Sequence, residues 1–146
     1  MSMLHLTYQV PGDDFTRAGE ASGDVKHKLK KLGYEPDAVR RVSIAMYEGE
    51  INMVIHANGG EAVVDIDTDR VDIVLKDQGP GIADVDQAMQ AGWSTAPDNV
   101  RALGFGAGMG LPNMKKYSDE MRIDSVVGVG TTVTMTVFPG MKKEGR

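Results

Sequence analysis

Cysteine is missing from all 146 residues. That absence excludes disulfide staples, thiolate metal sites and cysteine nucleophiles together. Long apolar runs are missing too: no stretch reaches the roughly 18 to 20 residues a membrane-crossing helix needs. Met1 to Val10 shows neither a basic segment nor an apolar core, so no signal peptide is expected. There is no excess of positive charge. Lys and Arg number 16 against 21 Asp and Glu, a formal net charge of −5, the reverse of the basic surface of a general nucleic-acid binder. The expectation is a cytoplasmic protein that takes neither nucleic acid nor membrane as partner. With 41% hydrophobic and 25% charged residues, the chain has the apolar content to fold, which argues against disorder. Its length suits a single domain, residues 1–146, with a frayed, charged tail over 142–146.

Glycine is in excess instead. It supplies 18 of the 146 residues, about 12% against a usual 7% or so. Seven of the 18 fall between Gly79 and Gly110. Such local enrichment marks backbone bent to unusual angles or brought close to a ligand.

Periodicity orders the rest. Leu4 to Val10 alternates as a strand does. A helix is expected from about residue 14 to 32, stopped by Gly33. A second runs from Glu35-Pro36 to about His56. Ala62–Asp67 and Val71–Asp77 read as a strand pair, and Met121–Val126 and Thr131–Phe138 as another. Between the pairs lie a short helix near 83–91, a glycine-rich loop, and a helix from Pro112 to Glu120. Paired strands with helices in blocks predict an α+β sandwich: one helical layer on a mixed, mostly antiparallel sheet.

Three places carry candidate chemistry. In the second helix, Val42, Ala45, Met46, Gly49 and Met53 share one stripe. Arg40, Ser43, Tyr47 and Glu50 share a face assigned to solvent. Glu48 and Asn52, four apart, stack together beside Ile44, Ile51 and Ile55. A carboxylate among isoleucines is costly unless it has a task, though an ordinary helix-rim glutamate has the same spacing. The second place is Asp77-Gln-Gly79-Pro-Gly81-Ile82, directly after an apolar strand. It reads either as a site where the backbone approaches a ligand or as a plain turn. The third is Gly104-Phe-Gly106-Ala-Gly108-Met109-Gly110-Leu111-Pro112. Successive N–H groups opening into a helix make a phosphate cradle. Neither the Walker loop nor the dinucleotide fingerprint fits it. Lys26 to Lys31 is a solvated face or a docking patch for an acidic partner. Asp65, Asp67 and Asp69 lack the glycine and glutamate of a calcium loop and are assigned to the outward face of a strand.

In order, Glu48-x-x-x-Asn52-x-x-x-His56, Asp77-x-Gly79-x-Gly81, Gly106-x-Gly108-x-Gly110-Leu111 and Gly128-x-Gly130-Thr131 resemble the N, G1 and G2 boxes and final Gly-x-Gly-Thr of the GHKL ATPase superfamily. Within it, the chain is most similar to the small bacterial anti-sigma-factor serine/threonine kinases of the RsbW, SpoIIAB and RsbT types. The resemblance implies a Bergerat-type, histidine-kinase-like ATPase fold that binds ATP or ADP with Mg²⁺. It makes Glu48 the general base and Asn52 the Mg²⁺ ligand. Asp77 would accept from the adenine amino group, with Gly79, Gly81 and Ile82 closing over the base and Thr131 at the adenine end. Gly106, Gly108, Met109, Gly110 and Leu111 would hold the phosphates. Residues 83–103 would form a lid, containing Arg101 as a candidate cation for the transferring phosphate and the lone Trp93. The implied partners are a STAS-domain anti-anti-sigma protein, a sigma factor or phosphatase regulator, and a second copy of the chain. The alternatives are a nucleotide-gated binding module without useful transfer and a stand-alone histidine-kinase-like ATPase domain.

Overall fold

Strand alternation and helical spacing both carry through to the computed structural model, which describes residues 3–12, 17–56, 59–79 and 110–139. The elements run β1 (Leu4–Pro11), α1 (Glu20–Lys31), α2 (Pro36–His56), β2 (Gly59–Ile66), β3 (Val71–Lys76), α3 (Gly110–Tyr117), β4 (Glu120–Val126) and β5 (Gly130–Val137). The strands form one sheet in the order β1-β2-β3-β5-β4. All four pairings are antiparallel, so the described sheet has no parallel pair.

Register puts one face of each strand under the helices. Val64 stands opposite Ile73, and Ile73 opposite Met135; all three are fully buried. The α2 stripe read from periodicity is the one buried: Val42, Ala45 and Met46 lose all exposure, and Met53 nearly all. α1 adds Val25 and Leu29, and α3 adds Met114. Burying a side chain of this size is worth roughly 1.5–3 kcal/mol, which makes this layer the main source of stability.

α1 starts at Glu20, later than the position near 14 expected from the sequence; Arg17 to Gly19 form turns before it. Its end follows expectation. Gly33 takes φ 78°, and Tyr34 N–H returns to Leu29 O at 3.1 Å, the left-handed stop that glycine allows.

A buried cation ties the layers together. Arg41 of α2 has no exposure. It donates to Asp37 at 3.0 Å, to Asp119 at 2.9 Å and to Phe138 O at 2.8 Å. Asp119 also accepts from Phe138 N–H at 2.6 Å. α2, the α3–β4 junction and the end of β5 therefore share one hydrogen-bonded centre.

Candidate functional site

Glu48 and Asn52 lie one turn apart on the C-terminal half of α2, each half-buried. Gly49 between them explains their placement. A Cβ there would stand 2.1 Å from Leu75 Cδ1 and 3.1 Å from Met114 Cε. The bare backbone lets α2 settle on β3 and admits α3 alongside, which offsets the ~1 kcal/mol that glycine costs a helix.

α3 then reaches both polar residues. Asn52 Nδ2 donates to Met114 Sδ at 3.8 Å. A Cβ on Gly110 would stand 2.9 Å from both Nδ2 and Oδ1 of Asn52, so glycine leaves space over that amide. With Nδ2 turned to sulfur, Oδ1 is the hard oxygen a divalent cation would use. Among the described residues no group of three or more His, Cys, Asp or Glu assembles. Asn113 Nδ2 donates to Glu48 Oε1 at 3.4 Å.

Asp77 and Thr131 join the ends of β3 and β5. Asp77 N–H donates to Thr131 O at 2.9 Å, and Thr131 N–H returns to Asp77 Oδ1 at 3.1 Å. Gly79 N–H donates to the same Oδ1 at 2.9 Å. Among the described residues, both of these bonds to the Asp77 carboxylate fall on Oδ1 rather than Oδ2. Gly130, at φ 150°, makes the approach possible, since a Cβ there would lie 2.2 Å from Asp77 O. Thr131 is buried and shares a hydroxyl contact with Ser125 at 2.9 Å. Gly60 lies between the α2 and β3 parts of the site: its Cβ would meet Asp77 Cα and Met53 Sδ, each at 3.1 Å.

One expectation for α2 is overturned. Glu50, assigned to solvent by spacing, is only 2% exposed. It accepts from the N–H groups of Gly19 at 2.8 Å, Ala21 at 3.3 Å and Ser22 at 3.0 Å. Gly19 cannot cap α1 with a side chain, so the orphan donors of that helix take their acceptor from α2. Charge-assisted bonds and the positive end of the helix repay the burial of the carboxylate. A groove of about 400 Å³ opens beside this contact. Its lining includes Gly19, Ser22 and Lys26 of the α1 side and Ile44, Tyr47 and Glu48 of α2. Partial burial, then the charges of Glu48 and Glu50, push the Tyr47 hydroxyl above its ordinary range.

α2 and α3 thus bring Glu48, Asn52 and Gly110 together, and the ends of β3 and β5 bring Asp77, Gly79 and Thr131 together. Leu111 packs against the core. Gly81, Ile82, Gly106, Gly108 and Met109 lie outside the described residues, as do the lid expected at 83–103, Arg101 and Trp93. Sequence reasoning missed Glu50, Arg41 and Asn113. For Arg41 the Asp37-x-x-x-Arg41 spacing was an available signal. For the other two the partners lie far away in sequence.

The histidine kinase-like ATPase domain family matches residues 15–137. The serine/threonine-protein kinase RsbT of Bacillus subtilis is 33% identical over 112 residues, covering 74% of this chain and 78% of that protein. An anti-sigma F factor of Thermoanaerobacter is 32% identical over 114 residues, covering 73% and 75%. The solved RsbU and RsbW domains of a Mycobacterium tuberculosis protein align with a TM-score of 0.63 at 17% identity, covering 94% of this chain and 33% of that one. The mycobacterial sensor histidine kinase MprB aligns at 0.54 and 17%, covering 93% and 98%. These two likenesses speak to the fold, an α+β sandwich of the histidine-kinase-like type. No described helix is long and apolar enough to cross a membrane.

Proposed function

The chain belongs to the histidine kinase-like ATPase domain family, and from that premise we propose that it is an ATP-dependent serine/threonine protein kinase of a sigma-factor pathway. The observation that carries the reading is the pairing of Glu48 with Asn52 one turn apart on α2, both bordered by α3. ATP would sit with its adenine on Asp77 Oδ2 and its phosphates toward Gly110 and Asn52. Phosphoryl transfer needs in-line positioning and charge neutralisation more than covalent help. Mg²⁺ held with the nucleotide at Asn52 would supply part of that neutralisation. Glu48 would take the proton from the acceptor hydroxyl while that oxygen bonds to the γ-phosphorus. The bond from phosphorus to the bridging oxygen breaks, and ADP leaves with the electron pair.

The proposed acceptor is a serine or threonine on a STAS-domain anti-anti-sigma protein, and the proposed setting is the cytoplasm. RsbT's printed name, a serine/threonine kinase, supports the transfer reaction. A second reading, nucleotide-gated capture of a sigma factor without transfer, is favoured by the relatives named anti-sigma F factor. Pairing of two copies is compatible with either.

The deciding experiment is transfer from γ-labelled Mg-ATP to purified STAS-domain anti-anti-sigma proteins, with Glu48→Ala in parallel. Acid-stable label that disappears in Glu48→Ala, with ATP still bound, supports the kinase. Label retained at full yield in that variant removes Glu48 as the base. Absence of label, together with ATP-dependent retention of a sigma factor, replaces the kinase by the binding module.

A further inference from the structure

α2 and α3 meet through matched positions. Gly110 lies on Asn52, Met114 reaches Asn52 and the bare Gly49, and the Tyr117 ring stands 5.5 Å from the Arg40 guanidinium. Asn113 lies on this shared face and donates to Glu48 Oε1 at 3.4 Å. Glu48 itself lines the groove between α1 and α2.

We propose that Asn113 is a positioning residue for phosphoryl transfer: it holds Oε1 of Glu48 so that Oε2 faces the groove where the acceptor hydroxyl must arrive. The proposal rests on the reading of Glu48 as the base. A glutamate has three side-chain torsions, and a half-buried carboxylate on a helix visits several rotamers. A base acts only from within about 2.6–3.2 Å of the hydroxyl it deprotonates. One neutral amide donor fixes one carboxylate oxygen without cancelling its charge. The donor rides on α3, the helix whose first residue leaves space over Asn52, so base orientation and the Asn52 pocket depend on the same α2–α3 contact.

The test uses the full chain with steady-state transfer kinetics. Asn113→Ala should lower kcat about tenfold. The isosteric Asn113→Asp should lower it further, because it sets an acceptor against an acceptor. Asn113→Gln, which keeps a donor, should recover part of the loss. The Kd for ATP and the KM for the acceptor should stay within twofold throughout. In a Glu48→Ala background Asn113→Asp should add nothing, since it acts through that carboxylate. Normal kcat in both Asn113→Ala and Asn113→Asp, while Glu48→Ala is inactive, overturns the proposal and leaves the base reading standing. Full transfer by Glu48→Ala overturns both. A parallel fall of kcat, ATP affinity and Tm in Asn113→Ala marks a merely structural residue and also overturns it. A readout free of activity is the side-chain carboxyl ¹³C resonance of Glu48, assigned with Glu48→Gln. It should move in Asn113→Ala, and an unmoved resonance rejects the contact.

Discussion

Ser22 N–H donates to Oε1 of Glu50 at 3.0 Å, joining the first turn of α1 to the middle of α2. Glu50 stands two residues from both Glu48 and Asn52, so the bond that starts α1 is anchored in the helix that carries the candidate chemistry. The α1 side of the groove is thereby fixed relative to Glu48.

Glu50→Ala strips three backbone donors of their acceptor. Charge-assisted bonds of this kind contribute about 1.5–3 kcal/mol each, but they are not additive, so the expected loss is roughly 2–4 kcal/mol. Urea unfolding should show a lower midpoint at unchanged slope. A midpoint equal to that of the wild type contradicts the capping role.

Arg41→Met leaves Asp119 without its buried cation, 2.9 Å away. Breaking one side of a buried pair costs about 3–5 kcal/mol, whereas replacing both sides is often near neutral. The double variant Arg41→Met/Asp119→Asn should therefore be more stable than Arg41→Met alone by thermal melting. Equal melting temperatures would mean that the pair is not coupled.

Gly49→Ala sets two effects against each other. Helix propensity favours alanine by about 1 kcal/mol, but overpacking a core costs about 1–3 kcal/mol. The Cβ would stand 2.1 Å from Leu75 Cδ1 and press on Met114 as well, and both are buried, so the clash should win. Calorimetry should show a lower Tm; a higher one would show that the Leu75 and Met114 side chains give way freely.

Asp77→Asn can keep Oδ1 for Thr131 and Gly79 while turning a donor where Oδ2 was. The fold should hold and nucleotide affinity should fall at least tenfold, about 1.4 kcal/mol, in titration calorimetry with ATP. Unchanged affinity removes Asp77 from the adenine site.

Asp72 sets an acid limb. Burial, the largest single influence, pushes its carboxyl up, but the bonds from Arg70 and Thr136, with the Arg70 charge, outweigh it and hold the group below its ordinary 3.8. A lowered folded value means a contribution complete above 3.8 and lost as pH falls from there through the folded value. Asp72→Asn should lose less stability than the wild type between roughly pH 6 and pH 3 in urea unfolding. Identical acid sensitivity of the two proteins would count against the assignment.

The sequence by itself determined whatever depends on near neighbours. The α2 stripe from Val42 to Met53, the left-handed stop at Gly33, the paired strands and the order of the glutamate, aspartate and glycine clusters are set by periodicity and turn chemistry. Tertiary structure alone decided the rest, because hydrogen-bond partners are chosen by distances that no local period encodes. Glu50 and Ser22 are 28 residues apart, Glu48 and Asn113 are 65, and Arg41 and Asp119 are 78. On a helical wheel Glu50 shares the face of exposed Tyr47. Only the packing of α1 against α2 makes it a buried acceptor, and only the packing of α3 against α2 brings Asn113 within reach of Glu48.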